Sequence, residues 1–169
     1  MGYKYNKACF GGTFDIPIHR GHEVLIKKAF AVSEFCLIGL TTDRYARSLD
    51  KLNSTVIKPY SKRKKNLVKY LESGGYSGRY EISELDDFCD HRLMEEETDI
   101  EAIIVSTERR WVAEEINKER AGNGYRPFDI VEVKMVLAED GAKISSSRIR
   151  RGEINKNGKT LKPHALSNL

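Results

Sequence analysis

Two segments, far apart in the chain, carry side chains suited to holding phosphate. The first is Gly11-Gly12-Thr13-Phe14-Asp15, followed after Ile16-Pro17-Ile18 by His19-Arg20-Gly21-His22. Paired glycines allow a tight turn with bare backbone amides. A helix opening near Gly21-His22 would present orphan N–H groups and the positive end of its dipole to an anion. The imidazoles of His19 and His22 can donate hydrogen bonds to phosphate oxygens; packed structural histidines are the plain alternative. Zinc is disfavoured, because no third histidine or cysteine ligand is evident nearby. The segment has neither the Gly-Lys-Ser/Thr ending of a Walker A loop nor the spacing of a G-x-G-x-x-G loop.

The second segment is Ile144-Ser145-Ser146-Ser147-Arg148-Ile149-Arg150. One hydroxyl can cap a short basic helix while the others and nearby amides bind phosphate. Arg148 and Arg150 could pair bidentately with phosphate oxygens. Ser106-Thr107-Glu108, after the apolar run Ala102 to Val105, reads either as a capped turn or as a ligand contact. Taken alone, Lys51 reads as a solvent-facing cation, and Trp111 as a helix-packing residue rather than a base-stacking platform.

Apolar periodicity supplies the elements that must position these groups. Strands are expected at Ala8-Cys9-Phe10, Phe35 to Leu40, Tyr80 to Leu85, Ala102 to Val105 and Asp129 to Val136. Helices are expected from Val24 to Val32, Ser61 to Leu71 and Arg110 to Arg120. Such alternation implies βαβ crossovers and a mainly parallel five-stranded sheet in a single α/β domain. Ligands of such sheets collect beyond the carboxyl ends of the strands. Gly11 to His22, Thr41-Thr42-Asp43, Ser106 to Glu108 and Ile144 to Arg150 all fall there.

The 169 residues suffice for one core, with 40% hydrophobic and 32% charged residues and a formal charge of +4. That charge is too small to identify a nucleic-acid binder, although it permits an anionic ligand. It is distributed in blocks: six basic residues from Lys58 to Lys69, nine acidic ones from Glu84 to Glu101, and seven basic ones from Lys143 to Lys162. Three cysteines without a C-x-x-C pair argue against a disulfide framework. No apolar run is long enough to span a bilayer and no signal peptide is evident, so a cytoplasmic protein without membrane or nucleic-acid partners is expected.

His19-Arg20-Gly21-His22 together with Ile144 to Arg150 resembles the paired motifs of the HxGH nucleotidyltransferase superfamily, and within it the archaeal phosphopantetheine adenylyltransferases. Gly39 to Asp43, Lys51, Ile57 to Arg63, Val105 to Glu108, Asn117 with Arg120, and Ala138 to Gly141 extend the likeness. The resemblance implies a Rossmann-like fold over residues 1–154, followed by a polar tail at 155–169. It implies transfer of the adenylyl group of ATP to 4'-phosphopantetheine with Mg2+, giving dephospho-coenzyme A and pyrophosphate in coenzyme A biosynthesis.

By the same resemblance His22, Lys51 and His19 are the catalytic positions. Gly12, Thr13, Phe14, His22, Ser106, Glu108, Ser145, Ser146, Ser147 and Arg150 line the nucleotide and phosphate site, and no residue is assigned to a metal. Related enzymes acting on FMN, NMN or an alcohol phosphate, and a noncatalytic nucleotide- or RNA-binding module, remain open. So does the choice between monomer and homo-oligomer. Three departures stand out. Asp15 and His19 have three residues between them where the family has two, and the extra residue must be absorbed before His19 or must move Phe14 or Asp15 away from the site. Ser147 replaces a common threonine. Asp86 to Asp90 replaces a segment richer in glycine and proline.

Overall fold

A computed structural model describes residues 2–49 and 57–162. Five strands form one parallel sheet: β1 (Tyr5–Gly12), β2 (Ser33–Thr41), β3 (Tyr80–Leu85), β4 (Ala102–Ser106) and β5 (Asp129–Val133), in the order β3-β2-β1-β4-β5. The chain builds outward from β1 to β3 on one side, then crosses to lay β4 against the other side of β1. The crevice between β1 and β4 is therefore the switch point at which open α/β sheets bind ligands.

Helices cover both faces: α1 (Arg20–Val32), α2 (Asp43–Leu49), α3 (Tyr60–Ser73), α4 (Arg110–Gly122) and the short α5 (Ser146–Arg150). Alternate residues of β1 point to opposite faces. Ala8 and Phe10 join Ile26, Ala29 and Phe30 of α1 and Leu67 and Leu71 of α3, whereas Cys9 joins Ile103, Val105, Ala113 and Ile116 on the α4 side. With both faces covered, β2 and β4 read as continuous apolar runs rather than alternating ones.

The elements differ from expectation at their ends and in one insertion. α1 begins at Arg20 rather than Val24, because its start is set by a polar cap and not by the apolar stripe. β5 ends at Val133; Val136 instead packs against a third small cluster of Ala138, Ile144 and Ile154. The helix α2 is not among the expected ones; only its first residue, Asp43, falls in the polar segment expected beyond β2. The Thr42 hydroxyl accepts from the Tyr45 amide at 3.2 Å, which caps its first turn. Trp111 is 53% exposed, not packed. At about 100° per residue it lies on the side of α4 opposite Ala113, Ile116 and Arg120, which are buried.

Candidate active site

His19 is the N-cap of α1. Its Nδ1 accepts from the amides of Gly21 (3.1 Å) and His22 (3.3 Å), and His22 Nδ1 accepts from the His19 amide at 3.4 Å. Two imidazoles thus form the reciprocal arrangement that Ser/Thr and Glu usually supply at a helix start. Their rings stack with centroids 3.6 Å apart, and Phe14 lies 5.1 Å from His22. Because both Nδ1 atoms accept, each neutral ring carries its proton on Nε2. Burial pushes His19 down to about 4 and His22 well below the ordinary imidazole value, with the neighbouring ring adding to the His22 effect. At neutral pH the pair presents two uncharged N–H donors.

The preceding loop is fixed from several directions. Thr41 Oγ1 donates to Thr13 Oγ1 at 3.1 Å, and Arg63 Nη1 donates to the Thr13 carbonyl at 2.8 Å. Arg63, fully buried, also donates to the carbonyls of Lys58 (2.7 Å) and Thr41 (2.9 Å) and to Asp43 Oδ1 (3.0 Å). A side chain at Gly12 would meet the Phe14 ring at 3.1 Å, so the loop closes tightly over that ring.

Asp15, 1% exposed, accepts from Arg150 Nη1 at 2.8 Å and from the Lys58 amide at 3.0 Å. The Asp15–Arg150 pair joins two segments 135 residues apart in the chain. Ser145 caps α5, its hydroxyl accepting from the Arg148 amide at 3.3 Å, while Ser146 and Ser147 open the helix half-buried. Arg148 does not join Arg150. It pairs with Asp140 and with Glu153 (2.9 Å) and donates to the Lys143 carbonyl (3.0 Å), so its charge holds its own loop together. Glu108 pairs with Lys143, which brings the segment after β4 against the serine segment. Lys51 lies outside the described residues.

On the α4 side a cavity of about 170 Å³ opens beside this network. Gly12, Thr13, Phe88, Val105, Ser106 and Val112 are among the residues that line it. Cys9 and Cys89 also line it, and burial raises both thiols, Cys89 to about 11. Both are protonated at neutral pH and act as small apolar wall groups.

A chain whose ends meet in this way has recognisable relatives. The Cytidylyltransferase-like family model matches residues 9–152. The chain is 42% identical over 162 residues to a phosphopantetheine adenylyltransferase of Methanothermobacter thermautotrophicus, covering 96% of this chain and 93% of that one. It is 41% identical over 165 residues to that of Pyrococcus furiosus, covering 96% and 98%. A crystal structure of a protein with unknown function from Archaeoglobus fulgidus superposes with a TM-score of 0.64 at 32% identity, over 75% of this chain and 88% of that one.

The chain belongs to the phosphopantetheine adenylyltransferase family. The longer first loop keeps Phe14 5.1 Å from His22 and Asp15 paired with Arg150. Phe14 and Asp15 both stay at the site, and the surplus residue is taken up in Ile16 to Ile18, of which Ile18 is buried. Sequence reading missed Arg63, since every cation in a basic block looks alike. A usable signal was its spacing, because Arg63, Leu67 and Leu71 share one helical stripe and are all buried. Asp15 stands in the first motif, but its pairing with Arg150 was not predictable from spacing.

Proposed function

We propose that this chain transfers the adenylyl group of ATP to 4'-phosphopantetheine. The observation that carries the reading is the meeting of the His19–His22 helix start with Arg150 through Asp15, beside a largely apolar cavity. The first supplies donors for a charge-rich phosphate chain; the second suits the elongated, mostly uncharged arm of the acceptor. A phosphate oxygen of the acceptor attacks the α-phosphorus of ATP. The new P–O bond forms as the bond to the β-phosphate bridging oxygen breaks, and pyrophosphate leaves with that electron pair. The acceptor is already anionic, so no strong base is required, and neutral imidazoles suit this chemistry as donors.

In this reading the Nε2–H groups of His22 and His19, with Lys51, stabilise charge developing in the transition state. Gly12, Thr13 and Phe14 line the reacting phosphates. Ser145, Ser146, Ser147 and Arg150 hold the nucleotide phosphates, and Ser106 and Glu108 border the nucleotide. Among the described residues no three His, Cys, Asp or Glu side chains converge into a metal cage. In this reading Mg2+ enters with the nucleotide as metal–ATP, where it would screen the triphosphate charge. The reaction is placed in the cytoplasm, and among the described residues no helix is long and apolar enough to cross a membrane.

Pyrophosphate release and product mass, assayed with ATP or CTP against phosphopantetheine, FMN, NMN and glycerol phosphate, test the reading. Dephospho-coenzyme A is expected from ATP and phosphopantetheine alone. Turnover of another acceptor in preference would replace it with a related transferase, and nucleotide binding without turnover of any acceptor would replace it with a binding module.

A further inference from the structure

Two consecutive arginines stand at the start of α4 and differ in what they meet. Arg110 is held by Glu114 at 2.8 Å and Glu132 at 3.1 Å, and neither glutamate is among the residues that line the cavity. Arg109 lines the cavity, is exposed, and has no carboxylate paired with it among the described residues. Its neighbours in the cavity wall are mostly apolar, and Asp90, the one carboxylate there, is already engaged by Arg92 (3.1 Å) and Ser83 (2.7 Å). Tyr45 of α2 lines the same cavity; burial pushes its hydroxyl up, and the nearby Arg109 charge opposes that rise, which places the guanidinium beside the ring. Thr13, which the proposed function places at the reacting phosphates, lines the cavity as well. A guanidinium with no counter-ion among the described residues, beside a mostly apolar cavity, is suited to an anion carried in by the cavity's occupant. Its planar fork fits a phosphomonoester better than a carbonyl.

We propose that Arg109 binds the phosphate of the acceptor and orients it toward the nucleotide, so that it selects phosphorylated over unphosphorylated acceptors. This rests on the adenylyltransferase reading above and adds a residue that sequence reading did not single out. The ion pairs of Arg110 make it the internal control, since it has the same charge one position away but is committed elsewhere.

The test compares wild type, Arg109→Met and Arg110→Met by steady-state kinetics with ATP and 4'-phosphopantetheine. It adds calorimetric binding of phosphopantetheine and of pantetheine, which lacks the phosphate. Turnover by the wild type is the prior condition; its absence would count against the adenylyltransferase reading itself. Given that turnover, Arg109→Met should raise the acceptor KM about tenfold to a hundredfold, the range of a charge-assisted hydrogen bond. KM for ATP and the melting temperature should stay unchanged, and phosphopantetheine should lose its binding advantage over pantetheine. Arg110→Met should leave the acceptor KM near wild type. An unchanged acceptor KM in Arg109→Met, an equal loss for pantetheine, or a rise confined to ATP would each overturn the proposal.

Discussion

The two sides of the sheet's carboxyl end are built on opposite principles. On the α1 side nearly every polar group is held by another part of the chain: the imidazoles by helix amides, Thr13 by Thr41 and Arg63, and Asp15 by Arg150 and Lys58. On the α4 side the wall is largely apolar, and the polar groups at its edge, Arg109 and Tyr45, carry no ion pair among the described residues. A site that stabilises developing charge gains when its donors are already aligned, because no reorganisation is needed during reaction. A site that accepts a long, mostly uncharged arm gains from shape and water exclusion, with a few polar groups fixing orientation. The contrast separates rate from selection, and variants on each side should respond differently.

The largest effects should come from the two buried arginines that hold these regions in place. Arg63→Met strips donors from the carbonyls of Lys58, Thr13 and Thr41, at a cost of about 3–5 kcal/mol in unfolding free energy. Arg120→Met does the same to the carbonyls of Leu93, Glu95 and Arg126, and Leu93 lines the cavity. Urea denaturation should show similar losses for both. Kinetics of the folded fractions at low temperature should then diverge, Arg63→Met losing turnover and ATP affinity and Arg120→Met acceptor affinity. Identical kinetic losses would remove the division between the two sides.

Next in size is His22→Ala, which deletes a fixed donor from the α1 side. Removing one preorganised donor of this kind lowers kcat by about a hundredfold to a thousandfold. ATP binding, measured by titration, should change much less, since Arg150 and the serine segment remain. A parallel loss of binding and turnover would make His22 a ground-state contact rather than a transition-state one.

The fold was legible wherever burial on both sheet faces leaves continuous apolar runs, as in Ala102 to Val105, or wherever glycine ends a helix, as after Ser73. It was illegible where hydrogen bonding rather than hydrophobicity sets an element. The start of α1 depends on His19, and α2 depends on the Thr42 hydroxyl. The site divides in the same way. His19, His22 and the serine segment are local patterns, and sequence reading placed them together at the strand ends. Arg63 and the Asp15–Arg150 pair arise from contacts across 50 and 135 residues. Arg148 shows the converse, a cation in the right motif that its neighbours Asp140 and Glu153 divert.

The smallest effect is also the one that isolates the α1 side by its burial alone. His19 sits at about 4 and His22 well below its ordinary imidazole value of 6.5, both through burial. Between those values the unfolded chain binds more protons than the folded one, so stability rises with pH there. The contribution is whole above about pH 6.5 and is lost as pH falls toward 4, with a limiting slope of about 1.4 kcal/mol per pH unit for each ring. Asp90, held at about 2 mainly by Arg92 and Ser83 against its own burial, acts in the same direction only below the ordinary carboxylate range. The interval from pH 6.5 to 5 therefore belongs largely to the imidazoles. Urea midpoints taken across it should fall steadily, and His19→Asn, which keeps a side-chain oxygen for the helix cap while removing one ring, should reduce the slope by about half. An unaltered slope in that variant would mean that His19 takes up its proton as readily in the folded as in the unfolded chain, and that its side of the pair is less sealed than its hydrogen bonds imply.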